Sequence, residues 1–357
     1  MQSLQEPILV VHETRVRANI QRMVDKARLS HTTLRPHFKT HQSPLVGEWL
    51  REAGVDAITV SSPSMAALFS KAGWSDITIA LPMQPGAATA YNVLASAGTL
   101  QLITDHPEAV RSVGQALTGQ VTCWIEADTG HHRTGLGMWD HARLIETACA
   151  IDDSAHFKLA GLLTHTGSSY TCSEKLALEG LYDEALYQLE AMRAVLIERG
   201  FENLRLSIGD TPMCSQVDRL SGVDEIRPGN FVYYDLMMVE NGSCREEDMA
   251  IAVACPIIAL HPERSELIVH GGAVHLSKEA LCYESGMVIY GKVADPEGDA
   301  WSASIPGAYV RNISQEHGVI QADDDWINSK SIGDVVYLLP VHACLTADLF
   351  DDFVVVG

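Results

Sequence analysis

The chain has 357 residues, and its 25 lysines and arginines against 46 aspartates and glutamates leave a formal net charge of −21 at pH 7. So acidic a protein is repelled by phosphate backbones and anionic lipid, which argues against nucleic-acid and membrane partners. No run of about 18 apolar residues could span a bilayer, and the start of the chain does not resemble a signal peptide. Its eight cysteines are scattered rather than arranged as a disulfide framework. The composition predicts a cytoplasmic globular protein with mostly reduced thiols.

The first two-thirds of the chain repeats a short β-rich run, a turn and an amphipathic helical stretch such as Ser43–Ala53, Ser64–Ala72 or Glu174–Arg199. Strands that alternate with helices indicate parallel βαβ units, and eight such units predict a closed (β/α)8 barrel of the TIM type. Ile8–Val11 is a further candidate strand ahead of the barrel. The eight predicted barrel strands are Thr33–Phe38, Ala57–Val60, Ile77–Ala80, Gln101–Thr104, Val121–Asp128, Leu159–His165, Leu204–Gly209 and Glu225–Arg227.

After about Asp235 the pattern changes to short β-branched runs separated by Gly, Pro and Asp turns, with no long amphipathic helix between them. This pattern predicts a second, mostly antiparallel β domain. We therefore expect a barrel over residues 8–240 and a β domain over residues 241–357 together with residues 1–7. The predicted strands are Ile251–Leu260, Ser265–His270, Met287–Val293, Gly318–Gln321, Asp334–Leu339 and Phe353–Val356.

Unusual residues collect where the predicted barrel strands end, which is where barrel enzymes place their chemistry. Lys39 follows the first strand, and it is either a solvated surface charge or a Schiff-base lysine whose pKa nearby cations would lower. His165 ends the sixth strand. It is either a packed histidine, a general base or a ring that stacks on a cofactor. The seventh strand is followed by Gly209-Asp210-Thr211-Pro212. This segment forms either an anion site or an ordinary turn capped by Thr211.

One further pair lies near the end of the β domain. His342 and Cys344 are two positions apart, so on a strand they would share a face and could hold one metal ion. Nitrogen and sulfur donors favour zinc over magnesium or calcium. Two protein ligands are too few for a closed structural site, so any metal here keeps positions open for water or substrate.

Taken in order, these segments resemble the fold-type III pyridoxal-phosphate enzymes related to D-threonine aldolase and D-serine dehydratase, which have an alanine racemase-like barrel. The resemblance spans almost the whole chain, but His270-Gly271-Gly272 stands where the family leads us to expect Asp-Ala-Gly. The matching segments are Arg35-Pro36-His37-Phe38-Lys39-Thr40-His41, Asp128-x-Gly130-x-x-Arg133-x-Gly135, His165/Gly167/Tyr170, Gly209-x-Thr211-Pro212, Glu225-Ile226-Arg227-Pro228-Gly229-Asn230, Ser314-x-Glu316-His317-Gly318 and Pro340-x-His342-x-Cys344.

The resemblance implies that pyridoxal 5′-phosphate is the cofactor and that Lys39 forms the Schiff base with it. It further implies that Arg133 bonds the polar edge of the cofactor ring, that Gly209 and Thr211 hold the phosphate, and that His342 and Cys344 bind Zn²⁺, or alternatively Mn²⁺. His165 would line the same site. Tyr170 and Tyr233 would line the pocket, and the family suggests a homodimer.

The implied reaction is dehydration of a D-3-hydroxy amino acid such as D-serine or D-threo-3-hydroxyaspartate to a 2-oxo acid and ammonia. Lys39 would remove the Cα proton, and the metal would help the β-hydroxyl to leave. The alternative is D-threonine aldolase chemistry, with His165 or a metal-bound water as the base. Cys344 favours the dehydratase, since aldolases of the family tend to carry His-x-Asp. An amino-acid racemase or a non-catalytic cofactor carrier has no evident use for the metal pair.

The overall negative charge requires a local cationic site, because both the cofactor and the substrate are anions. We expect Lys39, Arg35, Arg133 and Arg227 to supply positive potential at the barrel mouth.

Overall fold

A computed structural model describes residues 4–357. The chain divides into two compact units, one formed by Gln21–Gly229 and the other by the N-terminal segment through Ile20 together with Asn230–Gly357. The predicted boundary lies ten or so residues later, at residues 240/241, and the predicted barrel includes Ile8–Val11. Within residues 4–357 no helix has the length and apolarity that a membrane crossing needs.

The Gln21–Gly229 unit contains an eight-stranded parallel sheet in the order β2-β9-β8-β7-β6-β5-β4-β3. The edge strands β2 and β3 are joined by a parallel bridge between His37 and Thr59, so the sheet closes on itself as a barrel. The fold class predicted from the sequence is confirmed. The strands are β2 (Thr33–Leu34), β3 (Ile58–Val60), β4 (Asp76–Pro82), β5 (Thr99–Thr104), β6 (Val121–Ala127), β7 (Phe157–His165), β8 (Arg205–Gly209) and β9 (Glu225–Ile226).

Helices surround the barrel, and strong capping residues lie directly before two of them. Ser43 and Ser62 each accept a backbone N–H of the helix that they precede, and a proline follows each of them at the first helical position. Helix α1 (Glu13–Leu29) crosses the division at residues 20/21. The helices that lie within Gln21–Gly229 are α2 (Pro44–Glu52), α3 (Pro63–Lys71), α4 (Ala88–Ala97), α5 (Pro107–Gly114), α6 (His141–Asp152), α7 (Lys175–Glu198) and α8 (Thr211–Gln216).

The barrel interior contains a network of buried charges. Arg35 donates from Nε to Glu225 at 2.6 Å and from Nη1 to the Asp76 carboxylate at 2.8 Å. Burial opposes the guanidinium charge, but Glu225 and Asp76 together raise the pKa of Arg35. Two carboxylates therefore neutralise Arg35, and our expectation that it supplies positive potential at the barrel mouth is wrong.

The second unit is built on an eight-stranded sheet in the order β11-β16-β15-β14-β17-β10-β1-β18. The N-terminal strand β1 belongs to this sheet, where it pairs antiparallel with β10 and parallel with β18. The strands are β1 (Ile8–His12), β10 (Ile251–His261), β11 (Glu266–His270), β14 (Gly291–Glu297), β15 (Ala300–Ile313), β16 (His317–Gln321), β17 (Val335–Pro340) and β18 (Phe353–Val356), and a separate hairpin joins β12 (Leu281–Cys282) to β13 (Val288–Ile289).

The sequence predicts most of these strands but not β15, the longest of them. Pro306-Gly307 lies inside β15 and reads as a turn, and Gly307 has a φ of 77°. The strand continues through this irregularity because it pairs with β14 on one side and β16 on the other. The short helices of this unit are α9 (Leu236–Glu240), α10 (Ala273–Leu276), α11 (Asp324–Asn328) and α12 (Ala343–Ala347).

Candidate active site

Lys39 lies in a 3₁₀ turn, Phe38–Thr40, directly after the first barrel strand. The turn is anchored on both sides: Phe38 is buried against the rings of Phe69 and Trp74, and His37 Nδ1 accepts the backbone N–H of Lys39. The Lys39 side chain itself is exposed, and among residues 4–357 no carboxylate lies within ion-pair distance of its Nζ. A rigid turn thus presents an unpaired amine at the carboxyl end of a barrel strand.

His165 lies close enough to Lys39 to feel its charge. Its Nδ1 is 2.6 Å from the carbonyl oxygen of Gly209, and since a carbonyl only accepts, Nδ1 carries the proton and Nε2 is the free acceptor. Burial lowers the pKa of His165 to about 3, with the charges of Lys39 and Arg133 acting in the same direction and the bond to Gly209 opposing them. His165 is therefore a neutral imidazole at pH 7.

The rings around His165 form a small aromatic group. Tyr170 lies 6.1 Å from it, ring centroid to centroid, and His131 lies perpendicular to it at 5.6 Å. Gly167 permits this approach, because a Cβ at that position would come within 2.3 Å of the His131 ring. The sequence predicted roles for His165 and Tyr170 but none for His131, which only the fold brings beside them.

Arg133 lies in a loop that Asp128 organises. Asp128 Oδ1 accepts the backbone N–H groups of Gly130 at 3.0 Å and His132 at 2.9 Å. The side chain of Arg133 is exposed, and its charge acts both on His165 and on Glu126. Burial raises the pKa of Glu126, and Asp105 adds to that rise while Arg133 opposes it.

The glycine-bearing turn after β8 leads into α8, which begins at Thr211. Asp210 caps this helix, with Oδ1 accepting the Met213 N–H at 2.7 Å, so the predicted Thr211 cap is wrong. Thr211 Oγ1 is buried without a hydrogen-bond partner. Burial raises the pKa of Asp210 to about 7. An Asp210 that is protonated about half the time near pH 7, beside an unpaired hydroxyl, weakens the repulsion that a full carboxylate charge would exert on a bound anion.

Arg227, which follows the last barrel strand, is buried and bonds Ser207 and the carbonyl oxygen of Thr164. Burial lowers its pKa to about 10, so it keeps its charge at pH 7. That charge also contributes to the lowered pKa of His37. The structure thus brings Lys39, Arg133 and Arg227 into one electrostatic environment around the two histidines.

His342 and Cys344 lie in the other unit and not on one strand. Strand β17 ends at Pro340. His342 occupies the position directly before α12, without a capping bond from its side chain, and Cys344 is the second residue of that helix. The predicted i, i+2 placement on a strand is therefore wrong, because the chain turns into a helix at this point. Both side chains are half-buried, and the Cys344 thiol is free of any disulfide.

A buried carboxylate, Asp235, holds the segment that carries this pair. Its Oδ2 accepts the backbone N–H of Ala343, the residue between His342 and Cys344, at 2.8 Å. The same oxygen accepts Asn230 Nδ2 at 2.6 Å, and Nδ2 also lies 3.9 Å from the Cys344 sulfur. Burial raises the pKa of Asp235, and His342 opposes that rise. The sequence did not single out Asp235, which has no motif of its own.

Tyr233 is buried in the same unit. Burial and then the nearby Cys344 thiol raise the pKa of Tyr233. Asn230 Oδ1 is buried without a hydrogen-bond partner. A histidine nitrogen, a thiol and an unsatisfied amide oxygen form a donor set suited to a soft divalent metal and a ligand that donates to Asn230.

Comparison with known proteins identifies the class. Residues 11–236 match the family described as the alanine racemase N-terminal domain, and residues 250–356 match the family described as a putative serine dehydratase domain. The chain belongs to the family of enzymes that combine these two domains. The predicted family and the predicted enzyme class, a lyase, are confirmed.

Two relatives cover nearly the whole chain. D-threo-3-hydroxyaspartate dehydratase of Delftia sp. (strain HT23) is 32% identical over 98% of this chain and 93% of its own length. D-serine dehydratase of Dictyostelium discoideum is 29% identical over 99% of this chain and 94% of its own length. Both are named dehydratases, as predicted.

Solved structures of dehydratases and related enzymes also resemble this chain. A cysteine-to-alanine variant of D-threo-3-hydroxyaspartate dehydratase in the metal-free form superposes with a TM-score of 0.92 at 30% identity, covering 100% of this chain and 96% of that one. D-threonine aldolase from Filomicrobium marinum, the predicted alternative, superposes with a TM-score of 0.85 over 99% of this chain and 92% of its own, and at 20% identity it shows the shared fold alone.

Proposed function

We propose that the protein is a pyridoxal-phosphate- and metal-dependent dehydratase of D-3-hydroxy amino acids, D-threo-3-hydroxyaspartate or D-serine, which releases a 2-oxo acid and ammonia. The observation that carries this proposal is the His342-x-Cys344 pair. Solved structures of D-threo-3-hydroxyaspartate dehydratase include a histidine-to-alanine variant and a cysteine-to-alanine variant two positions apart, the latter in the metal-free form. The spacing is the same here, within an alignment that spans both chains.

The barrel residues fit a phosphorylated cofactor that reacts with an amine. Lys39 supplies an exposed amine without an ion-pair partner, and Thr211 Oγ1 is a buried hydroxyl without a hydrogen-bond partner. We assign Lys39 to the covalent attachment and Gly209 with Thr211 to the phosphate. Arg133 is assigned to the polar edge of the ring, and His165 with Tyr170 and Tyr233 to the pocket walls.

Pyridoxal phosphate supplies an electron sink that lowers the cost of removing the Cα proton. This chain supplies the base: the free amine of Lys39 is the group assigned to take that proton at Nζ. His37 adds no competing positive charge, because burial and then the charge of Lys39 lower its pKa well below its usual range. Arg227 supplies a permanent cation for the anionic ligands, within the electrostatic environment shared by Lys39 and His165.

His165 acts in this proposal as a wall of the pocket, not as a base. A pKa of about 3 leaves its Nε2 too weakly basic to remove a proton near neutral pH. Its Nδ1 bond to Gly209 fixes the ring plane. Of the three roles that the sequence left open, the low pKa argues against the general base. The bond to the Gly209 carbonyl is the one expected of a packed histidine, and we assign this packed ring to the wall of the cofactor pocket.

The metal assigned to His342 and Cys344 is Zn²⁺, because a thiolate and an imidazole together prefer zinc to manganese. Such an ion acts as a Lewis acid on the β-hydroxyl of the substrate. Asn230 and Asp235 hold the ligand segment by hydrogen bonds, and such supporting bonds tune metal affinity in other sites. The homodimer and the cytoplasmic location belong to the same proposal.

The test is incubation with D-threo-3-hydroxyaspartate, D-serine and D-threonine, with 2-oxo acid and ammonia measured against glycine and aldehyde. We expect 2-oxo acid and ammonia in equal amounts from at least one of the first two substrates. Cys344→Ala is expected to lose metal and activity together. Cys149→Ala, which changes an exposed cysteine on α6, is the matched control. Glycine as the main product would overturn the proposal in favour of the aldolase.

A further inference from the structure

A second cluster of metal-binding side chains lies in the β unit, outside the His342-x-Cys344 pair. His270, His275 and Glu316 each offer one ligand atom, and these atoms all lie within 4.8 Å of one another. The three residues come from the end of β11, from α10 and from the turn between β15 and β16. We propose that His270, His275 and Glu316 form a separate binding site for a divalent transition metal of the zinc class.

The measured spacing matches metal coordination. Bonds of about 2.1 Å at a tetrahedral angle place two ligand atoms roughly 3.4 Å apart. His270 Nε2 and Glu316 Oε2 are 3.4 Å apart. The rings of His270 and His275 are nearly perpendicular, at 86°, with centroids 5.3 Å apart. The ligand atoms lie up to 4.8 Å apart, so a movement of up to about 1.4 Å brings them to the tetrahedral spacing. Three corners of a tetrahedron are then occupied, and the fourth is open to water.

The ligand chemistry also fits. Two imidazoles and one carboxylate form a donor set typical of zinc and other transition metals, whereas magnesium and calcium prefer oxygen alone. His275 Nδ1 accepts the Gly272 N–H at a long 3.3 Å. For Nε2 to coordinate a metal, the ring proton must lie on Nδ1 instead of Nε2, so this weak contact is lost when the metal binds.

The backbone holds the three ligands on interlocked segments. Gly271 N–H donates to Glu316 O at 2.8 Å, and Ala273 N–H donates to Ser314 O at 2.8 Å. A Cβ at Gly272 would come within 2.4 Å of Gln315 O, so the two segments meet without room for a side chain. Such fixed segments reduce the entropy lost when a metal binds.

The site is tested by equilibrium dialysis of the cofactor-loaded protein against Zn²⁺, followed by metal analysis. We use a Cys344→Ser background, in which the thiolate ligand of the proposed catalytic metal is removed. One equivalent of Zn²⁺ is expected to remain bound there, and His275→Gln or Glu316→Gln added to that background is expected to remove it. His261→Gln is the matched control, because His261 Nδ1 lies 3.4 Å from Glu263 Oε1 but has no third ligand.

A measurement on the unmodified chain removes the dependence on folding of the variants. Carbethoxylation of each histidine is followed by mass spectrometry with and without Zn²⁺. Protection of His270 and His275, with His261 modified at an unchanged rate, supports the site. Retention of zinc by both ligand variants, absence of zinc from the Cys344→Ser protein, or unprotected His270 and His275 overturns it. None of these outcomes depends on which amino acid the enzyme dehydrates.

Discussion

Asp235 offers the sharpest test of how the fold supports the proposed catalytic metal. Its two carboxylate oxygens accept three hydrogen bonds, from Asn230 Nδ2, Ala343 N and Met238 N. Asp235→Asn changes one of these oxygens into an NH₂ donor while keeping the size of the side chain. Whichever way the amide is oriented, at least one buried N–H donor then faces another donor.

The structure sets the magnitude of the effect. With the amide oxygen placed towards Ala343, only the Met238 N–H that caps α9 is left unsatisfied, at a cost of about 1–3 kcal/mol. With the oxygen placed towards Met238, the bonds to Asn230 and Ala343 are both lost, at roughly twice that cost. We expect Tm to decrease by an amount between a few degrees and about 10 °C. An amide oxygen accepts more weakly than a carboxylate, so even with the oxygen placed towards Ala343 the segment between the two proposed ligands is held less firmly. Zinc affinity should therefore fall by about 10-fold in that orientation and by up to about 100-fold in the other.

Zinc affinity is measured by competition with a chromophoric chelator, and Tm is measured by calorimetry on the metal-free protein, since bound zinc would itself raise Tm. Asp323→Asn is the matched control: Asp323 caps α11, which like α9 has five residues, by accepting a single backbone N–H. Asn caps helices about as well as Asp, so the control should change neither quantity much. A lower Tm with unchanged zinc affinity would refute the role of Asp235 in the metal site and leave it a helix cap.

Three further predictions concern the barrel and the cofactor. Lys39→Ala should abolish the visible absorbance of the bound cofactor and lower kcat by at least about 10²–10⁴-fold. Lys71→Ala, at the exposed end of α3, should do neither. An absorbance that persists in Lys39→Ala would exclude Lys39 as the attachment point. Chelation should stop turnover and leave that absorbance in place, and zinc should restore the rate; full activity in the chelated, metal-free protein would remove His342 and Cys344 from the mechanism. Burial lowers the pKa of His41 to about 3. Between about pH 3 and 6.5 the unfolded chain therefore binds a proton at His41 that the folded chain does not. The free energy of unfolding then falls as the pH falls, by up to about 1.4 kcal/mol per pH unit. His41→Gln should flatten this slope in denaturant titrations, His141→Gln on the surface should not, and equal slopes for His41→Gln and wild type would contradict the assignment.

Local pattern was sufficient for the barrel. Seven of the eight barrel strands are each followed by a helix, and a side chain caps five of these helices, α2, α3, α5, α6 and α8. These signals lie within a few residues of one another. All eight predicted barrel strands are present, although β2 is reduced to Thr33–Leu34 and the chain beyond it rejoins the sheet through the bridge at His37. The residues at the strand ends follow from the same pattern, since parallel strands present their carboxyl ends at one edge of the barrel.

Partners distant in sequence could not be predicted in this way. Strand β1 pairs with β10 and β18, more than two hundred residues away, so its pattern alone did not exclude a place in the barrel. Arg35 reads as a free cation until the fold places Glu225 and Asp76 beside it. His342-x-Cys344 reads as a strand pair, although the chain begins a helix there.

The sequence by itself determined the barrel, the β domain, the family and the residue types that the proposed chemistry needs, because periodicity, turn residues and motif spacing are local properties. The tertiary structure alone decided which charges are neutralised, which carboxylate holds the His342–Cys344 segment, and that His270, His275 and Glu316 meet. Hydrogen bonds, burial and electrostatic interactions depend on distance in space, and only the folded chain defines that distance.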